Sequence, residues 1–133
     1  MNATDAGTVR ALARRLVERP SHEDETAAGE LIAGWLRDHT DAVVHHGEAG
    51  VVARRGDAPD RIALVGHHDV VPPDDSQVDG SGYVVEERDG RLYGRGSADM
   101  KGSVAAAMCA FRDADAACTF ASFRGEERGG VGA

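Results

Sequence analysis

Apolar positions recur at helical spacing near the start of the chain and then give way to short runs that suit strands. Val9, Leu12, Leu16 and Val17 fall on one helical face, and Pro20, which cannot continue a helix, ends it. Ser21 is predicted to open a second helix, with Glu23, Asp24 and Glu25 in its first turn, where the helix dipole favours acids. Leu31, Ile32, Trp35 and Leu36 form the apolar stripe of that helix. Residues 42–45 and 50–54 read as short strands joined by a turn around Gly47. Residues 61–66 form a near-continuous apolar run, the pattern of a strand buried on both faces. Residues 83–87 and 91–93 flank Arg88-Asp89-Gly90, a hairpin signal. The Ala-rich stretch 100–111 is predicted helical, and 116–123 is again an apolar strand. Helices alternating with buried strands predict an α/β sheet with helices on its faces. Ligands in such sheets gather beyond the carboxyl ends of the strands.

A chain of 133 residues allows one small domain with a real core. No run of 18 apolar residues occurs, so no membrane span is expected. The first residues lack the basic-then-apolar pattern of a secretory signal, so the expected location is the cytoplasm. Fifteen basic against 23 acidic residues give a net charge of −8, which argues against a nucleic-acid partner. Lys101 is the only lysine. A GC-rich genome would explain the arginines but not the acid excess, which points instead to a high-salt cytoplasm. Cys109 and Cys118 form no C-x-x-C pair and lie in apolar surroundings, as buried thiols of a reducing compartment do.

Three segments carry candidate chemistry, each at or just after the end of an apolar run. In His67-His68-Asp69, alternation puts His67 and Asp69 on one face and His68 on the other. His67 can offer a ring nitrogen to a metal, and Asp69 can orient that ring. Two surface histidines in a loop would read the same way. His45-His46 has no carboxylate two residues on and reads as a solvated turn. In Gly94-Arg95-Gly96-Ser97-Ala98-Asp99, the glycines allow a tight turn and Asp99 stands at the mouth of the next helix. A carboxylate there can bridge two cations, or merely cap the helix. A dinucleotide site would need glycine where Asp99 stands, and a phosphate loop would need Gly-Lys-Ser rather than Lys101-Gly102-Ser103. Ser97 is not in a G-x-S-x-G elbow, which argues against serine hydrolysis. Glu126 and Glu127 follow the last strand; one could bind metal and the other act as general base, or both could be a solvated acidic turn.

Gly66-His67-His68-Asp69-Val70-Val71-Pro72, Gly94-Arg95-Gly96-Ser97-Ala98-Asp99-Met100-Lys101-Gly102 and Gly125-Glu126-Glu127, in this order, resemble the M20 family of metallohydrolases. That family includes succinyl-diaminopimelate desuccinylase, acetylornithine deacetylase, aminoacylase and related carboxypeptidases. The resemblance implies a three-layer, zinc-exopeptidase-like α/β domain with a mixed sheet. It implies two divalent metal ions, zinc first with cobalt or manganese as alternatives. It gives His67, Asp99 and Glu127 as metal ligands, Asp99 as the bridge, Asp69 as the acid that orients His67, and Glu126 as general base. It also implies a cis bond between Asp99 and Met100. The implied reaction is hydrolysis of the amide bond of an N-acyl amino acid or small peptide, and the full-length protein is expected to be a homodimer.

Residues 1–133 are then the N-terminal part of such a catalytic domain. A further carboxylate, a distal histidine and a lid domain would follow in the family but not here. With about two protein ligands per ion, the isolated chain is expected to be catalytically crippled. Two alternatives stand beside this reading: a non-catalytic truncated fragment, and a metal-binding module without turnover.

Overall fold

In the computed structural model, residues 8–59 and 61–133 are described. Helix α1 (Val9–Val17) starts at Thr8, whose Oγ1 accepts the Ala11 N–H at 3.1 Å. Leu12, Leu16 and Val17 are buried as their spacing predicts, whereas Val9 stays exposed.

The second helix differs from the sequence expectation. Helix α2 spans Thr26–His39, so Ser21 opens no helix and Glu23, Asp24 and Glu25 precede the first turn. The reason is tertiary. The Ser21 hydroxyl donates to the His68 carbonyl, and the Ser21 N–H is held by the Tyr83 hydroxyl, so neither is available to a helix terminus. Asp24 does the local work instead, its Oδ1 accepting the Thr26 N–H at 2.9 Å.

The main sheet holds β1 (Val43–Gly47), β2 (Gly50–Arg55), β3 (Ile62–His67) and β8 (Cys118–Phe123) in the order β1-β2-β8-β3. The β1–β2 and β2–β8 pairs are antiparallel and β3–β8 is parallel, so the sheet is mixed. A parallel pair needs a crossover, and here it carries α3 (Gly102–Asp113). Leu12 and Leu16 of α1, Ile32, Trp35 and Leu36 of α2, and Val104, Met108 and Phe111 of α3 share one core with Val51, Ala53, Cys118 and Phe120 of the sheet. The described helices therefore cover one face.

Three local expectations need correction. Among the described residues β3 pairs only with β8, and Ile62 and Val65 are 55% and 61% exposed, so there the apolar run 61–66 is an edge strand rather than one buried on both faces. The run 83–87 is split: β5 (Gly82–Tyr83) pairs with β4 (Val78–Asp79), while β6 (Glu86–Arg88) pairs with β7 (Arg91–Tyr93) across the Asp89-Gly90 turn. His45 and His46 lie within β1 and not in a turn, though both are exposed. Among the described residues no helix is long and apolar enough to cross a membrane.

Candidate metal centre

The parallel pair β3–β8 places its two carboxyl ends side by side, with His67 in register with Phe123. The His68 N–H continues the ladder to the Phe123 carbonyl at 3.1 Å. Beyond that point both chains turn away. After β8, Gly125 adopts φ 72° and opens the short helical turn Glu126–Arg128; a Cβ on Gly125 would lie 2.2 Å from Val131 Cγ2. A third segment arrives from the other side, Ser97–Lys101, whose backbone leaves helical geometry at Asp99 and Met100 before α3 begins. The Asp99–Met100 peptide is cis.

These three segments bring their polar side chains to one point. His67 Nε2 lies 3.1 Å from Asp99 Oδ1, 3.7 Å from Glu126 Oε2 and 3.9 Å from Glu127 Oε1. Donor atoms of His67, Asp99 and Glu127 all lie within 4.8 Å of one another. Two ligands about 2.1 Å from a shared tetrahedral ion are roughly 3.4 Å apart, so the spacing fits a zinc-like cation. The donor set fits as well, since imidazole with carboxylates suits a borderline divalent metal. Three acids crowd one ring nitrogen, and like charges this close disfavour ionisation. The Glu127 carboxyl registers this: burial, then the charge and hydrogen bond of Asp99 and the charge of Glu126, hold it above its ordinary range.

Asp69 lies behind the cluster and is fully buried. Its carbonyl is 3.0 Å and its Oδ1 3.4 Å from His67 Nδ1, so acceptors face that nitrogen and leave Nε2 turned toward the acids. The Asp69 carboxylate also receives two backbone donors, Glu126 N–H at 3.0 Å and Glu127 N–H at 2.8 Å. His68 points the other way, its Nδ1 2.8 Å from the buried Ser122 hydroxyl. Burial pulls the His68 ring down to about 4.

All five sequence-predicted site residues thus meet at one end of the sheet. Their neighbours Ser21, Glu25 and Lys101 are not evident from pattern. Each is polar yet buried. Lys101 donates to the Arg19 carbonyl at 2.5 Å with its ammonium 5.5 Å from the Tyr83 ring, and burial brings it down to about 7. In the sequence it stands out as the only lysine and as part of the motif at 94–102, neither of which points to burial. Ser21 carries no signal apart from resembling an ordinary helix cap.

A mixed α/β sheet with imidazole and carboxylate donors gathered beyond two parallel strands defines a metallohydrolase-like site. The chain belongs to peptidase family M20/M25/M40, whose sequence profile matches residues 63–133. It is 37% identical over 119 residues to a succinyl-diaminopimelate desuccinylase of Bordetella petrii, covering 86% of this chain and 31% of that protein. It is 41% identical over 100 residues to one of Xylella fastidiosa, covering 71% and 26%. The chain therefore spans about a third or less of the length of the curated relatives it matches. Among solved structures, human carnosine dipeptidase 1 superposes with a TM-score of 0.63 at 24% identity, over 97% of this chain and 34% of that one, a likeness of fold.

Proposed function

We propose that this chain is the N-terminal part of the catalytic domain of a metal-dependent amide hydrolase acting on N-acyl amino acids or small peptides, of the desuccinylase or deacetylase kind. One observation carries the reading: His67 Nε2 sits 3.1 to 3.9 Å from three carboxylates that come from two other segments. His67, Asp99 and Glu127 hold the cation, zinc in the first instance. A bound divalent ion supplies Lewis acidity, polarising a carbonyl and lowering the pKa of a water. Glu126 takes the proton from the attacking water and returns it to the leaving nitrogen; its side chain is 55% exposed, open to substrate. Asp69 fixes the His67 ring from behind and sets the backbone of both glutamates.

Three converging donors match one catalytic ion with an open position. A second ion would share Asp99 as its bridge, as the family resemblance implies, and would need further donors. Two buried cysteines that form no disulfide support a reducing compartment such as the cytoplasm. The acid excess supports a high-salt one, and refolding yield should then rise with molar KCl.

Calorimetric titration of the chain with zinc, alongside hydrolysis of N-succinyl and N-acetyl amino acids, tests the reading. Zinc binding at one site is the expected result. Absence of zinc binding overturns the metal assignment, and tight binding with no turnover by a full-length version favours a metal-binding module.

A further inference from the structure

The loop 19–25 between α1 and α2 contributes no ligand, yet all three ligand-bearing segments are tied to it. The segment of Asp99 is tied through Lys101, which donates to the Arg19 carbonyl at 2.5 Å. The segment of His67 is tied twice through Ser21. Its hydroxyl donates to the His68 carbonyl at 2.7 Å, and its own carbonyl accepts the Val70 N–H at 3.3 Å, so the two bonds flank Asp69. The segment of Glu126 and Glu127 is tied through Arg128, which pairs with the Glu25 carboxylate and donates to the His22 carbonyl at 3.5 Å. The loop itself is anchored from below. The Tyr83 hydroxyl accepts the Ser21 N–H at 3.2 Å and lies 2.6 Å from His22 Nδ1.

The burial of these groups sets them apart from ordinary surface contacts. Ser21 and Lys101 are 0% exposed and Glu25 is 5% exposed. Buried polar groups are costly unless partnered, and their bonds fix geometry more firmly than exposed ones do. Glu25 stands at the N-cap of α2 but its side chain makes no cap bond there; its carboxylate pairs with Arg128 instead.

We propose that the loop 19–25 is a common brace for the metal centre, and that Ser21 and Glu25 are its positioning residues. Neither touches the cation site. Ser21 holds the backbone of the His67 segment and Glu25 holds the Glu126–Glu127 segment through the Arg128 side chain, so the spacing among His67, Asp99 and Glu127 is set by a loop that contributes no ligand. The inference rests on the proposed metal site for its consequence, and on hydrogen bonds alone for its mechanism.

The test is amide hydrogen exchange on the 133-residue chain, comparing wild type with Ser21→Ala, Ser21→Thr and Glu25→Gln. Ser21 makes no bond to residues 126 or 127. A brace nevertheless requires Ser21→Ala to accelerate exchange at the Glu126 and Glu127 amides at least about tenfold, with the β2 and β8 ladders within about twofold, and Ser21→Thr to restore wild-type rates. In Glu25→Gln the remote reporter is the Val70 amide, which should accelerate likewise; this variant decides the matter if Ser21→Ala does not fold. Acceleration confined to the bonded neighbours overturns the brace. So does a uniform rise across the sheet, the pattern expected of the core variant Met108→Ala. Zinc titration adds a second reading. A loss of affinity of about 10- to 100-fold in Ser21→Ala is expected, and unchanged affinity overturns the proposal. If the wild-type chain binds no zinc, the metal reading fails while the exchange data still decide the brace.

Discussion

Asp69 accepts the backbone N–H of Glu127 at 2.8 Å through Oδ2, across 58 positions of sequence. Its Oδ1 accepts the Glu126 N–H at 3.0 Å, and its carbonyl lies 3.0 Å from His67 Nδ1. One buried residue thus sets both the ring on β3 and the turn after β8. The carboxylate has two acceptor oxygens, and both are used.

Asp69→Asn therefore replaces one acceptor with a donor that faces a backbone N–H. A buried donor without a partner costs about 1–3 kcal/mol. Urea unfolding should show a loss of that size, and zinc affinity should fall by about 10- to 100-fold as the ring and turn lose their common reference. Wild-type affinity in a folded Asp69→Asn variant would contradict the role given to this residue.

His67 and Glu126 should separate binding from turnover. His67 is nearly buried and its Nε2 faces the acids, whereas the Glu126 side chain is 55% exposed. His67→Ala should weaken zinc binding directly. In a full-length version, Glu126→Gln should keep zinc affinity near wild type while lowering kcat by about 10²- to 10⁴-fold, the usual contribution of a positioned general base. Calorimetry and steady-state rates on both variants check this, and equal metal loss in the two would refute the division of roles.

The elements most legible in the sequence are those whose side chains answer to local periodicity. Leu12 and Leu16, or Ile32 and Leu36, face inward because helical spacing leaves one apolar stripe. Strand ends and glycine turns also put His67, Asp99 and Glu126 at chain reversals, but that pattern leaves loop, cap and acidic-turn readings open, and their roles come from the resemblance of the three motifs to a family. Ser21 is not legible, because the grammar of a helix cap is local and its actual bonds reach His68, Val70 and Tyr83. The apolar run at β3 misleads in a similar way. Composition reports that a strand can be buried, whereas sheet order decides whether it is, and Val65 stays 61% exposed.

Cys109 and Cys118 form no disulfide and are buried, at 5% and 1% exposure. Burial is the leading cause that raises the Cys109 thiol above its ordinary value. A native chain should therefore show little fast reaction with a disulfide reagent, and both thiols should react on unfolding. The sign for stability follows. A thiol whose folded pKa lies above its unfolded one stabilises the fold below the unfolded value and loses that contribution as pH rises through the folded one. Unfolding midpoints should decline on the alkaline side, and less so in Cys109→Ala. Rapid labelling of two thiols in the native chain would refute the burial.

Gly96 joins backbone shape to the metal centre. It adopts φ 86°, and a Cβ there would lie 2.5 Å from Val70 Cγ1, within the segment that Asp69 anchors. Gly96 also offers its carbonyl to the Lys101 N–H at 2.8 Å, closing the turn that delivers Asp99. Alanine at this position meets two penalties, left-handed backbone and a collision that Val70 can relieve only by moving. Backbone strain of this kind costs about 1–3 kcal/mol. Because Val70 is also bonded to Ser21, its displacement should disturb both the Asp69 and Asp99 segments. Gly96→Ala should lower the urea midpoint and reduce zinc affinity together. Gly90→Ala has a similar φ of 74° in the exposed hairpin turn but no atom within 4 Å of its Cβ, so it should lower the midpoint alone. If both glycine variants bind zinc as wild type does, the close packing of Gly96 on Val70 has no part in shaping the site.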